Sequence, residues 1–536
     1  MSGFGRRRRT RVAGPILLLL SLALIAISFA PMARVSAQET PVSGGTLRMA
    51  FQEEPDQLDP AQTIQLLAAI INYNIYDQLV YIGPDGLPQP WAAESWEISP
   101  DSLTITFKIR EGIKFHDGTV LDAPAVKFGY DRILDPAMAA PYRDFLGPIK
   151  DVQAPDATTL IFNYTEPYAP FFVNAAQIAI VSPAGVEKFG DEFGRNPVGS
   201  GAFKFKEWVT GTQIVLERNP DYVNYRADDL NKGPAYVDEI VFTIISEAAT
   251  QTAAFEAGEL DVLDVDRADV GRLTEAGYNI VAQTNTHNIN FIEFANKPPY
   301  NIPAFRKAVA HSIDRDSINE IAYFGNATPH LCPVPIGDAA YDEALCAEHG
   351  YVYDLELAKA ALAEGGFVDS DGNGFVEMDG KDLEVTLWSY APYPVQEATI
   401  EVIQVDLNKV GIKTKIQTIE FGAMQPMLES GEIGMDLMRW TFYDQSILSQ
   451  LFKSPGWVNQ TNDPELDKLI SVADTTVDPE ARIEASHAVM TYIMDNALIA
   501  TVNSDWFQSA TQDNVRDYHW DAQDNQRLND VWIAQS

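Results

Sequence analysis

The chain has 536 residues, 46% of them apolar and 21% charged, with a formal net charge of −38. That length exceeds one ordinary core and predicts two or three lobes, and the apolar fraction excludes a disordered chain. So acidic a surface excludes nucleic acid and anionic lipid as partners, because like charges repel; a solvated surface suited to solubility explains it without invoking cationic solutes.

The first element reads as an export signal. Arg6 to Arg11 form a basic region, Pro15 to Ala30 an apolar run, and Val35, Ser36 and Ala37 a small-x-small cleavage site before Gln38. Residues 1–37 are therefore expected to be removed, leaving an exported, periplasmic or cell-surface protein. Retention as an anchor is the alternative, since the run is near the lower spanning length. Removing its six arginines takes the net charge from −38 to near −44. No cysteine sits near the cleavage site to take a lipid.

Beyond this leader, strand signals of period two recur. "TLRMAF" opens the series. Leu103, Ile105, Phe107 and Ile109 alternate with polar residues, as do Leu160, Phe162 and Tyr164, and later Leu383, Val385 and Leu387. "GTQIVLERNP" and "VDEIVFTII" read as two further strands. Helices interleave. Asp122 is a candidate N-cap for "LDAPAVKFGYDRI", Asp463 caps "DPELDKLISVA" ahead of Pro464, and Asp478 repeats the Asp-Pro-Glu start. Gly365 and Gly366 end "LELAKAALAEGGF". The class is mixed α/β without a fixed-period repeat.

His116 and Asp117 stand side by side in "FKIREGIKFHDGTVLDA". The Asp-Gly step that follows is a hairpin signal, which favours turn chemistry over a catalytic dyad. The remaining histidines show no metal spacing, and His487 has the helical neighbours of a packed residue. No phosphate loop, dinucleotide fingerprint, zinc-protease or nucleophile-elbow motif occurs, so the expected protein is not an enzyme.

Two features carry local chemistry. Cys332 and Cys346 are the only cysteines. In an exported protein two cysteines this close are expected to pair, a ring worth roughly 3 kcal/mol; two buried thiols are the alternative. In "DSDGNGFVEMDG", Asp369, Asp371 and Asn373 occupy alternate positions of an EF-hand-type loop, with Gly374 at the turn. Phe375 would lend its carbonyl and Glu377 a further ligand to calcium. Gly380 stands where the bidentate glutamate belongs, and an Asx-rich turn accounts for the same residues. No other cofactor is expected.

"LTITFKIREGIKFHDGTVLDAPAVKFGYDRI" resembles the signature of the family 5 extracellular solute-binding proteins, the oligopeptide-, dipeptide- and nickel-type receptors of ABC importers. "GGTLRMAFQEEPDQLDPAQT", "NPVGSGAFKFKEWVTGTQIVLERNPDYV", "FRKAVAHSIDRDSI" and the terminal helix pair extend the resemblance over nearly all of the mature chain. It implies a two-lobed periplasmic-binding-protein fold, type II-like, with an additional inserted α/β domain. The implied bounds are 38–80, 182–285 and 504–536 for lobe I, 81–181 for the inserted domain and 286–503 for lobe II.

The same resemblance implies function. The chain would capture a solute, expected to be a peptide, and hand it as a monomer to ABC permease subunits. An oligosaccharide or other organic solute is the alternative, and an extracellular hydrolase the third class. Nickel fits poorly, because the candidate site has no histidine. In "MDLMRWTFYDQS" the family pattern places Asp444 on a peptide ammonium and Arg439 on a carboxylate, with Trp440, Phe442 and Tyr443 as aromatic walls. Phe421 and Tyr142 are further wall candidates.

Overall fold

Leu47, Met49 and Phe51 point inward from the strand Thr46–Phe51, and Ile105, Phe107 and Ile109 do so from Thr104–Ile109. Period-two alternation thus sorts side chains between a core and a wetter face, which is how a sheet covered on one side is specified. The computed structural model describes residues 40–535 except 64, 392–393, 421–423, 425–426, 429 and 455–462. The export signal and Phe421 lie outside the described residues.

Among the described residues four larger sheets organise the chain. Thr46–Phe51 pairs parallel with Glu239–Ile244, which continues antiparallel to Gln213–Arg218 and Phe203–Val209. Val262–Asp264, Phe507–Thr511 and Asn279–Gln283 form a three-stranded antiparallel sheet. Ala93–Ile98, Thr104–Ile109, Thr159–Tyr164 and Ile149–Gln153 form, in that spatial order, a four-stranded antiparallel sheet around an aromatic core of Phe107, Tyr130, Phe162 and Phe171. The largest sheet has six strands in the order Ala327–Pro329, Ala500–Asp505, Asn288–Phe294, Met435–Thr441, Glu384–Ala391 and Lys413–Glu420.

The helices start where the sequence offers caps. Asp122, Asp463 and Asp478 each accept a main-chain N–H of the first turn, so an orphan donor is satisfied at each start. Leu466, Ile470 and Ala473 are the buried stripe of Pro464–Thr475. Gly366, at φ 80°, follows the end of Leu355–Glu364.

The chain crosses from the three-stranded to the six-stranded sheet between Gln283 and Asn288, and returns through Trp506. The two crossings are tied together: Asn288 Nδ2 and Thr286 Oγ1 donate to the Asp505 carbonyl, and the Asp505 amide donates to Asn288 Oδ1. Among the described residues no helix is long and apolar enough to cross a membrane.

Candidate ligand cavity

Two adjoining cavities lie beside these crossings, lined by Gln283 and His287 from one and Trp506 and Phe507 from the other. The larger, ≈ 610 Å³, is walled by Leu67, Ile70 and Tyr73 from Leu66–Ile75, by Tyr142 and Phe145, and by the aromatic run Trp506–Phe507 with Trp520. The smaller, ≈ 440 Å³, reaches His287, Asp338 and Arg482. They share Val173, Tyr443, Asp444 and Trp520. A concave, mostly apolar wall with a few placed polar groups is the general form of a small-ligand site.

The strand Met435–Thr441 supplies the floor, and its alternation decides which predicted residues reach it. Arg439 and Thr441 face the larger cavity, while Trp440 falls between them and packs into the core beside Ile289. The expectation that Trp440 walls the ligand is therefore corrected: a strand sends neighbours to opposite faces. Past the strand end the alternation lapses, and Phe442 and Tyr443 both line the cavity. Tyr142 lines it from the segment ahead of the strand Ile149–Gln153, its ring 6.1 Å from Phe145.

Asp444 also borders both cavities, but its carboxylate is occupied. Arg482, from the helix Pro479–Asp495, donates Nη1 to Oδ2 and Nη2 to Oδ1, both at 2.7 Å, and Ser446 N donates to Oδ1. Burial alone would push the Asp444 carboxyl up, yet Arg482 outweighs it and holds the group below the usual range. An already neutralised, bidentate pair has little left for a ligand ammonium, so the reading of Asp444 as a free anchor is corrected.

Arg439 sits differently. Its Nε donates to Asp505 Oδ1 at 3.1 Å, and Arg267, opening the helix Arg267–Glu275, binds Asp505 Oδ2. Nearby, Asp524 accepts from His287 N and from Gln283 Nε2, and its Oδ2 lies 3.3 Å from His287 Nδ1. Burial disfavours the His287 imidazolium, but Asp524 outweighs that and raises its pKa. Asp264 accepts from Ser509 Oγ and Gln526 Nε2, and burial pushes its carboxyl up.

These partners were absent from the sequence reading. Arg267, Asp505, Trp506, Phe507, Trp520 and Arg482 belong to no local motif. Only the adjacent aromatics "WF" in "NSDWFQ" offered a signal.

Two further stretches line neither cavity. His116 is half-buried, its Nε2 3.0 Å from the Gly201 carbonyl, and desolvation depresses its pKa to about 4. Asp117 accepts from Thr119 and Ser182, and Gly118 takes φ 86° at the turn. Gly201 passes so near Ile75 that a Cβ would lie 2.7 Å from the Ile75 carbonyl carbon. In the 369–377 loop, Asp369 accepts the amides of Gly372, Asn373 and Gly374, Asp371 that of Asn373, Asn373 Oδ1 that of Phe375, and Glu377 those of Ser370 and its hydroxyl. Asp369, Asp371 and Glu377 do each bring an oxygen within 4.8 Å of the others. Cys332 and Cys346 are joined by a disulfide.

The sequence model of bacterial extracellular solute-binding proteins, family 5 Middle, matches residues 88–459. The chain belongs to the family 5 extracellular solute-binding proteins. Within this family-level similarity, the glutathione-binding protein GsiB of Escherichia coli (strain K12) is 28% identical over 413 residues, 75% of this chain and 76% of its own. The probable D,D-dipeptide-binding periplasmic protein DdpA of the same strain is 26% identical over 521 residues, covering 92% and 96%. Of solved structures, the binding protein DppA of Helicobacter pylori in complex with the peptide STSA is 25% identical with TM-score 0.70, covering 92% of this chain and 99% of that one. The two-lobed α/β fold with an additional α/β unit is thus the family's fold.

Proposed function

We propose that this family 5 protein is the capture subunit of an ABC importer and that a peptide is its cargo. The observation that carries this is the cavity itself. It lies at the strand crossings, is walled by aromatic and aliphatic side chains, and is large enough at ≈ 610 Å³ for a short peptide. Three of the curated and solved relatives are named for peptides or peptide-like solutes, which supports the same reading. In this reading residues 38–80, 182–285 and 504–536 form lobe I, 81–181 the inserted domain and 286–503 lobe II. The lobes close around the ligand by bending at the crossings. The role is binding rather than catalysis, in an extracytoplasmic setting.

A second reading has one observation in its favour. Phe507 and Trp520 stack with centroids 5.6 Å apart and an interplanar angle of 20°, and Trp520 lines both cavities. Such a flat aromatic wall also suits a sugar or other organic ring. Mass spectrometry of material released on denaturing the purified protein, followed by calorimetry with short peptides and oligosaccharides, separates the two. Peptides in the released fraction and peptide heats support the first reading. Glycans in both assays replace it with the second.

A further inference from the structure

We infer that Asp229, His519 and Asp530 form a binding site for a divalent transition-metal ion of the zinc class. None of the three lines either cavity. The ion would pin the hairpin that carries Trp520 to the segment around Asp229, and so fix part of the cavity wall from behind.

Each residue offers one ligand atom, and these atoms lie within 4.8 Å of one another. Asp229 and Asp530 are buried and His519 is half-buried. Three segments meet here: His519–Trp520 pairs antiparallel with Gln526–Arg527, and the amides of Leu230 and Asn231 donate to Asp530 at 2.8 and 2.7 Å. His519 Nδ1 lies 3.0 Å from the Asp517 carbonyl, which can only accept. In the neutral ring Nδ1 therefore carries the hydrogen and Nε2 presents its lone pair, the outer arrangement of a metal-ligating imidazole. Nε2 stands 3.8 Å from Asp530 Oδ2, too long for a hydrogen bond. Two donors held by one zinc ion at about 2.1 Å each stand roughly 3.3–3.6 Å apart, a spacing that a small inward turn of the half-buried ring supplies.

Charge is a second and independent argument. Arg226 pairs with Asp228, Asp229 and Asp521, and Arg527 pairs with Asp229. Asp530 has neither arginine as an ion-pair partner among the described residues, yet lies beside Asp229. Four carboxylates thus share two guanidiniums, which leaves two negative charges in a largely buried knot. Lys232 does not cancel them, because its Nζ donates to the Arg226 and Ala227 carbonyls. Buried negative charge is costly unless a cation joins it, and a divalent ion matches the surplus. In the same knot Asn529 Oδ1 is buried without a hydrogen-bond partner. Its Nδ2 donates to the Asn231 carbonyl, which also takes Asn224 Nδ2, the donor to Asp229. An imidazole with two carboxylates suits zinc and its transition-series neighbours; calcium takes oxygen ligands.

Zinc titrated into chelator-treated, full mature protein tests this, read by calorimetry and by melting temperature. Cobalt(II) serves as a coloured stand-in whose visible absorption reports a nitrogen- and oxygen-ligated shell. The expected result is one zinc per chain, a raised melting temperature, and zinc preferred over calcium. His519→Gln should weaken zinc binding at least about 10–100-fold, the loss that removing even an outer partner of a metal site brings, and should remove the cobalt band. Asp530→Asn keeps an oxygen for the main-chain amides and should give the same loss, and circular dichroism confirms that both variants fold. Asp371→Asn, in the 369–377 loop, is the control and should leave zinc binding unchanged. The inference is overturned if wild type takes up no zinc or binds calcium as tightly. It is equally overturned if zinc affinity survives His519→Gln, or if Asp371→Asn removes it.

Discussion

Asp436 and Asp444 lie on one stretch of chain, both buried, and they solve burial in opposite ways. Asp444, past the end of its strand, meets the guanidinium of Arg482 and stays ionised. Asp436, inside the sheet, lies opposite Glu293 in register and accepts from Tyr390 OH. Burial raises both carboxyls, Asp436 to about 7, and the pair shares a proton rather than a cation. A buried acid therefore says little by its position alone. Whether it is a charge or a hydrogen-bond donor is set by what a distant segment brings beside it.

The comparison breaks most visibly at Arg482. Arg482→Met leaves Asp444 buried and unpaired, and should cost about 3–5 kcal/mol in denaturant unfolding. Adding Asp444→Leu should restore most of that loss, because a buried pair replaced by apolar residues is close to neutral. If Arg482→Met is silent, the pair is not what neutralises Asp444.

The proton-sharing pair is sharpened by pH. Its folded pKa values lie above the ordinary carboxyl range, so the folded state binds the extra proton. Stability from this source is fully present below the unfolded pKa near 4 and is lost as pH rises through about 7. Glu293→Gln keeps a donor toward Asp436 and removes one of the two titrating groups, the one raised by both burial and Asp436. It should stabilise the protein by about 2 kcal/mol at pH near 8, with the gain vanishing near pH 4. A pH-independent difference would show that the pair does not share a proton.

Asp338 is an intermediate case, buried on the smaller cavity with its carboxyl pushed to about 7 by burial and by Asp444, against Ala340 N, His287 and Arg482. Asp338→Asn should stabilise by about 1 kcal/mol above neutral pH and by nothing in acid. The smallest effect belongs to the 369–377 loop. Its carboxylates already accept main-chain donors, so calcium added to chelator-treated protein should leave the melting temperature unchanged. A clear rise would make the loop a metal site.

Much of the frame was legible because it is written locally. Leu160, Phe162 and Tyr164 alternate, and Asp463-Pro464 and Asp478-Pro479 announce helix starts, all within a few residues. The cavity was legible only where one strand end carried it, at Arg439, Phe442 and Tyr443. Arg267 and Asp505 are 238 residues apart and meet through sheet pairing, which no local pattern encodes. For Asp444 the error had the same origin: its partner comes from a helix 38 residues on. Trp440 was misread because a run of aromatics hides the two-residue period that turns it away from the cavity.

The bonds that tie Asn288 and Thr286 to the Asp505 main chain have a mechanical consequence. Two backbone segments cross side by side, and because they are laced together they turn as one leaf about one axis, with twisting motions resisted. The Asp505 amide, locked inside that lacing, should then exchange its hydrogen only on global unfolding, however often the cleft opens and shuts.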